Sequence, residues 1–347
     1  MLKLERIHYV PARWAEILCS YPSHMLGQTP QWLAFVQEAQ QGEVVLAEVK
    51  DSARVVGHFC GIMVRRFGLR LLGSPLPGWT TSYMGFCLDE TISRAEAVTA
   101  LHDFAFSELG CVHLELMDRD ATARDTALAG SASRSYTTYE IDLSLDEAEL
   151  FGNLSSACRR CIRKAIRSGV RIEESDDPSF AAEYFEQLRD VFAKQRLTPT
   201  YGLPRVQALI RHLRPTENVL CLRARDAQGR CIATGIFPGA NQRAYFWGGA
   251  SWRRYQIVRP NELLMWHAIL GWKRRGVRYL DLGGSGEYKR KYGGTQLTVP
   301  WMRASRYPGL SLLRQAAVSS VRARQRWNAL VQAAIAIPHR TSKSSSW

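Results

Sequence analysis

Apolar and polar residues alternate along two stretches that each double back on themselves. Val44-Val-Leu-Ala-Glu-Val-Lys-Asp51 reaches a turn and resumes as Arg54-Val-Val-Gly-His-Phe-Cys-Gly-Ile-Met-Val64. Val219-Leu-Cys-Leu-Arg-Ala-Arg-Asp226 does the same and resumes as Arg230-Cys-Ile-Ala-Thr-Gly-Ile-Phe237. β-Branched runs around an Asp-containing turn predict a hairpin in each place. Further on, Ala97–Leu109 has helical periodicity, Gly110 stops it, and Cys111–Leu116 reads as a strand. Asn261–Arg275, Gly276 and Val277–Leu282 repeat that order. Alternation sets Cys111, His113 and Glu115 on one strand face, and Val277, Tyr279 and Asp281 on the matching face of the second copy. Hairpin, further strand, helix and strand thus occur twice, which reads as one unit duplicated.

The boundary between the copies falls near 145–150, where Ser144-Leu-Asp-Glu-Ala-Glu-Leu150 looks like a capped helix start. Leu154–Ser168 follows as a helix. Its apolar pairs Ala157/Cys158, Cys161/Ile162 and Ala165/Ile166 recur every four residues, and Arg159, Arg160, Arg163, Lys164 and Arg167 take the other side. Beyond about residue 309 a basic amphipathic helix and a Ser-rich tail are expected. The reading is therefore 1–147, 148–308 and a 309–347 appendix.

Composition narrows the class. A chain of 347 residues with 46% apolar and 22% charged positions has material for two cores and is not disordered. No apolar run reaches the roughly 18 residues of a membrane span, and the N-terminus lacks an apolar signal segment. Eight scattered cysteines form no disulfide framework, so a reducing cytoplasm is expected. The net charge of +14 is concentrated. Residues 151–171 and 301–347 hold many Arg and Lys and no acid. Such clusters suit an anionic partner (ligand phosphates, nucleic acid or lipid headgroups) or simply a solvated surface.

Three short motifs carry no metal or nucleophile chemistry. Cys158-x-x-Cys161 lacks a second pair of ligands and reads as core thiols. His113-x-Glu115 reads as an inward strand face. Tyr245-Phe-Trp247 before Gly248-Gly249 reads as a buried strand, with Trp247 near its end available to line a cleft.

The ordered features Leu154-Ser-Ser-Ala-Cys-Arg-Arg-Cys-Ile-Arg-Lys-Ala-Ile-Arg-Ser-Gly-Val170, Arg259-Pro-Asn-Glu-Leu-Leu264, Leu280-Asp-Leu-Gly-Gly284 and Tyr288-Lys-Arg-Lys-Tyr-Gly-Gly294 resemble the FemABX branch of the GNAT acyltransferases and its CelD-like or BioF-like relatives. Gln28-Thr-Pro-Gln-Trp32 is similar to their N-terminal pattern, and the resemblance spans roughly 25–305. It implies an α/β fold of two tandem GNAT-like domains with mixed sheets. It also implies transfer of an activated aminoacyl or acyl group to an amine of a cell-envelope precursor, of peptidoglycan or exopolysaccharide.

On the family pattern Lys289 matches the lysine of the aromatic-Lys motif and is assigned charge stabilisation, with Tyr288, Tyr292 and Gly293 around it and Lys291 as a phosphate contact. Asp281, at a strand end before Gly283-Gly284, either orients the amine or accepts its proton, or is a turn former bonding its own backbone. Tyr201 is expected by family position to border the acceptor cleft. Arg159 and Arg163 suit the phosphates of a nucleotide- or lipid-linked precursor or of tRNA. The stretch Ala250–Glu262 carries Arg253, Arg254 and Arg259 but none of the glycines with which GNAT enzymes hold CoA pyrophosphate. The donor is thus left between aminoacyl-tRNA and an acyl-CoA or acyl carrier, with no cofactor of the protein's own and no metal. The expected setting is cytoplasmic, at the inner membrane through the basic tail. A second reading is a non-catalytic RNA- or anionic-membrane-binding protein on a degenerate scaffold of this kind.

Overall fold

The computed structural model describes residues 1–194, 197–284, 286–307 and 309. The expected 309–347 helix and tail lie almost wholly outside the described residues. The first half runs β1 (Leu2–Ile7), α1 (Pro11–Cys19), α2 (Pro30–Gln40), β2 (Glu43–Asp51), β3 (Arg54–Arg66), β4 (Leu69–Ser74), β5 (Gly85–Leu88), α3 (Arg94–Asp103), β6 (His113–Leu116), α4 (Ala123–Leu128) and β7 (Ala132–Asp142). Helices α5 (Glu147–Asn153) and α6 (Ser156–Arg167) connect it to the second half. That half runs β8 (Arg171–Glu174), α7 (Phe180–Lys194), α8 (Leu203–Leu213), β9 (Val219–Arg225), β10 (Cys231–Ala240), β11 (Arg243–Tyr245), β12 (Gly248–Ser251), α9 (Pro260–Arg274), β13 (Tyr279–Asp281) and β14 (Thr295–Ser305).

Pairing repeats as well as order. β1–β2–β3–β4 and β8–β9–β10–β11 are antiparallel neighbours; β5 and β12 return to β3 and β10; β6 and β13 lie parallel to β4 and β11. The helix between each parallel pair, α3 or α9, makes the crossover that parallel pairing demands. The glycines expected to stop these helices, Gly110 and Gly276, sit at φ +64° and +75°. α3 first passes through a π-turn at Phe104–Glu108.

The two last strands are exchanged. β14 lies between β6 and β7, and β7 pairs on its other side with β13, so one sheet runs through the molecule. In the central antiparallel pair Glu140 faces Thr295 and Tyr136 faces Val299. α5 is capped by Asp146, whose carboxylate accepts from Glu149 N at 2.8 Å, rather than by Ser144. On α6 the buried stripe is narrower than the expected pairs: Cys158, Ile162 and Ala165 are buried, while Ala157 and Ile166 are exposed. Among the described residues no helix is long and apolar enough to cross a membrane.

Candidate active site

The site begins where two parallel strands part. β10 pairs with β11 and then, beyond Phe246 and Trp247, with β12, so β11 and β12 form one interrupted strand. Only its first part follows β13: Tyr245 lies opposite Asp281, and Phe246 N donates to Asp281 O at 2.8 Å. Past that bond the strands diverge. The gap is a cleft of about 470 Å³, walled by Tyr245, Phe246, Trp247, Gly283, Gly284, Tyr288 and Lys289, by Tyr184 and Tyr201, and by Tyr136 and Trp301 of the exchanged strands. Residues 80–83, from the first half, close the remaining side.

That last wall is held by the Gln28–Trp32 motif. Gln28 Nε2 donates to Met84 O and Phe86 O at 3.1 Å, and Trp32 Nε1 donates to Thr81 Oγ1 at 3.2 Å. Arg205 from α8 donates to Gly78 O at 2.9 Å. The loop thereby presents Tyr83, whose hydroxyl donates to Asp281 Oδ2 at 2.8 Å.

Lys289 is the one charged side chain among the described lining residues. It lies in a 3-10 turn, Glu287–Tyr292, with Nζ 5.7 Å from the ring centroids of both Phe246 and Tyr288. No described residue offers it a hydrogen bond or ion pair. Burial holds its ammonium down at about 8, and the nearby Asp281 carboxylate opposes that shift.

Asp281 is 1% exposed and its carboxylate is fully engaged. It accepts from Tyr83 Oη, from Thr138 Oγ1 at 2.5 Å and from Gly283 N at 2.7 Å; burial raises its pKa while these donors lower it. These three donors stand against the direct proton-acceptor role expected for Asp281. The carboxylate does not line the cleft, and its neighbour Tyr83 does. The turn-forming bond to Gly283 is present as well.

The other expected residues divide. Tyr201, Trp247 and Tyr288 line the cleft. The hydroxyls of Tyr201 and Tyr184 are 2.8 Å apart, and the indole N–H of Trp247 is buried without a described partner. Lys291 and Tyr292 line an adjoining cavity of about 240 Å³ that shares Phe246, Gly249 and Tyr288 with the cleft. Lys291 donates to Glu262 at 2.6 Å, so its charge is already met. Gly293 belongs to packing rather than binding: at φ +79°, a Cβ there would stand 2.6 Å from Asn153 O. Arg159 is tied to the main chain, donating to Gly152 O and Leu154 O, and Arg163 stands over the Phe151 ring. Arg259 is exposed at the head of α9. None of these three arginines lines either cavity, which removes them from direct cleft contact.

The sequence reading missed Tyr83, Tyr136, Tyr245, Trp301 and Thr138. The Gln28–Trp32 motif, read only as a family-like N-terminal pattern, is the local feature that holds the first-half wall in place. Among the described residues no three His, Cys, Asp or Glu are grouped to hold a metal.

Comparison with known proteins places this geometry. The model of the acetyltransferase (GNAT) domain matches residues 153–290, which contain the parting strands and Lys289. The crystal structure of FemX superposes with a TM-score of 0.69 at 13% identity, covering 86% of this chain and 97% of FemX. The C-terminal domain of a putative lysylphosphatidylglycerol synthetase from Agrobacterium fabrum gives 0.56 at 11% identity, over 89% of this chain and 95% of that one. A tandem GNAT protein from the clavulanic acid biosynthesis pathway gives 0.51 at 11% identity, over 89% and 99%. No curated protein sequence matches the chain. At these identities the structural likenesses establish a shared fold.

Proposed function

We propose, from a GNAT acyltransferase domain at residues 153–290 set in a FemX-like fold, that the protein is an N-acyltransferase using the cleft beside Lys289. The duplicated strand pairing supports two tandem GNAT-like units, 1–147 and 148–308, of which the second carries the chemistry. The observation that carries the reading is the Lys289 ammonium, without a partner among the described residues, in an aromatic cleft where parallel strands part.

In this reading a neutral acceptor amine attacks the acyl carbonyl and a C–N bond forms. The bond from the carbonyl carbon to the donor's oxygen or sulfur breaks, its electron pair leaving with that atom, and the amine's proton passes to the leaving group. Charge gathers on the carbonyl oxygen during the attack, and a poorly solvated ammonium stabilises it far more than water does. Asp281 acts through Tyr83, fixing that hydroxyl at the cleft wall.

The donor is an aminoacyl-tRNA or an acyl thioester, and the acceptor an amine of a phosphate-bearing envelope precursor. Three features support phosphates held outside the cleft. Lys289 is its sole described cation, Lys291 is paired with Glu262, and the exposed basic face of α6 abuts the lysine turn through Ser155 N and Lys291 O, 2.9 Å apart. Work at the cytoplasmic face of the inner membrane fits such a precursor. Labelled aminoacyl-tRNA and acyl-CoA, each with a panel of amine acceptors, test the reading. Product is expected with one donor, with RNase sensitivity marking tRNA. Lys289→Met should lower kcat/KM about 100-fold, the size of losing one oxyanion contact. No product with any pair would sink the proposal. Salt-sensitive RNA or vesicle binding indifferent to Lys289 would then favour the non-catalytic alternative.

A further inference from the structure

We infer that the acceptor seated in this cleft is an amino sugar: an uncharged pyranose ring stacked on the aromatic walls, with a weakly basic amine turned towards Lys289. The inference rests on the acyltransferase reading and names the substrate class of the same site.

The walls decide it. Ten of the described lining residues are aromatic, three of them the indoles of Trp32, Trp247 and Trp301. Aromatic faces pack against the C–H faces of a ring, and the indole N–H groups of Trp247 and Trp301 and the Tyr245 hydroxyl have no partner among the described residues. Thr80, Thr81 and Ser82 put further side-chain hydroxyls at the same wall. Gly248, Gly249, Gly283 and Gly284 leave part of the wall without side chains, and about 470 Å³ lies in the range of small-ligand clefts.

Charge selects the amine. The titratable groups in the described wall, besides Lys289, are Tyr83, Tyr136, Tyr184, Tyr201, Tyr245 and Tyr288, and burial pushes all six hydroxyls up. They are neutral in neutral solution. No carboxylate lines the described wall: Asp281 stands behind Tyr83 with three donors on it, and Glu262, in the adjoining cavity, is spent on Lys291. An alkylammonium, with a pKa of about 10.4, would enter charged, find no counter-ion and face Lys289. An amine flanked by the C–O bonds of a sugar is less basic and enters neutral, the form that attacks. A peptide α-amine is similarly weak, at about 7.7–8.0, but it brings no saturated ring to stack on the aromatic walls.

Titration of the full chain, followed by tryptophan fluorescence, tests this with methyl 2-amino-2-deoxyglucopyranoside. The comparators are Nα-acetyl-lysine amide and alanyl-alanine amide. The amino glycoside is expected to saturate and to bind about tenfold tighter than either comparator. Tyr288→Ala, at a ring 59% exposed, should weaken it several-fold, as should Trp247→Ala. Lys289→Met should let the lysine amide bind better, narrowing the gap. Equal or tighter binding of either comparator, or no saturable binding of the amino glycoside, overturns the inference. The assay needs no acyl donor, so the two readings fail separately. Transfer to a peptide amine without sugar binding defeats the amino sugar alone. Sugar binding without transfer from any donor defeats the acyltransferase.

Discussion

At the residue scale the site turns on an ammonium and a carboxylate that do not touch. If the charged form of Lys289 stabilises the developing oxyanion, kcat/KM should fall as pH rises through about 8, where burial has moved the ammonium's loss. Lys289→Arg should keep part of the activity and lose that fall, because a guanidinium stays charged. Asp281→Asn removes the carboxylate that supports the ammonium, so the fall should move to lower pH; a pH profile of kcat/KM reads both. Stability carries the same signature with its own sign. Between about 8 and 10.5 the unfolded chain binds the lysine proton and the folded chain does not, so stability should rise with pH across that window. Lys289→Met should flatten that rise in urea titrations. The sequence pointed to Lys289 and Asp281 by motif, yet their division of labour was illegible. Asp281 faces away from the cleft because Tyr83 and Thr138, 198 and 143 residues distant, meet it in the core.

At the element scale the lysine turn is set by its packing on the α5–α6 junction. Gly293 has left-handed backbone and lies against Asn153, and Ser155 N donates to Lys291 O at 2.9 Å. Gly293→Ala would force a Cβ into a carbonyl at unfavourable φ. A loss of about 1–3 kcal/mol is expected in the urea midpoint, together with reduced activity as Lys289 shifts. Element order was largely legible, since strand alternation, helical periodicity and Gly110 and Gly276 are local signals. The ten-residue insertion between β4 and β5 was not. Its counterpart between β11 and β12 is two residues long, and nothing in its composition tells that Gln28, Trp32 and Arg205 fold it onto the other half.

At the scale of the whole molecule the exchange of β7 and β14 makes each half complete the other's sheet. Residues 1–147 alone would leave β6 and β7 with unpaired edges and should aggregate; co-expression with 148–347 should restore a soluble, monodisperse pair, as size exclusion and circular dichroism would record. Separate folding of both pieces would show the exchange to be dispensable. The sequence by itself determined the repeated order of elements and the resemblance that led to Lys289, because each is written in local periodicity or contiguous motifs. Tertiary structure alone decided which strands exchange, that Asp281 is turned inward, and that tyrosines and tryptophans from both halves wall one cleft beside the Lys289 ammonium. Those outcomes depend on contacts between residues far apart in the chain, where burial and hydrogen bonding are settled by neighbours that no local pattern names.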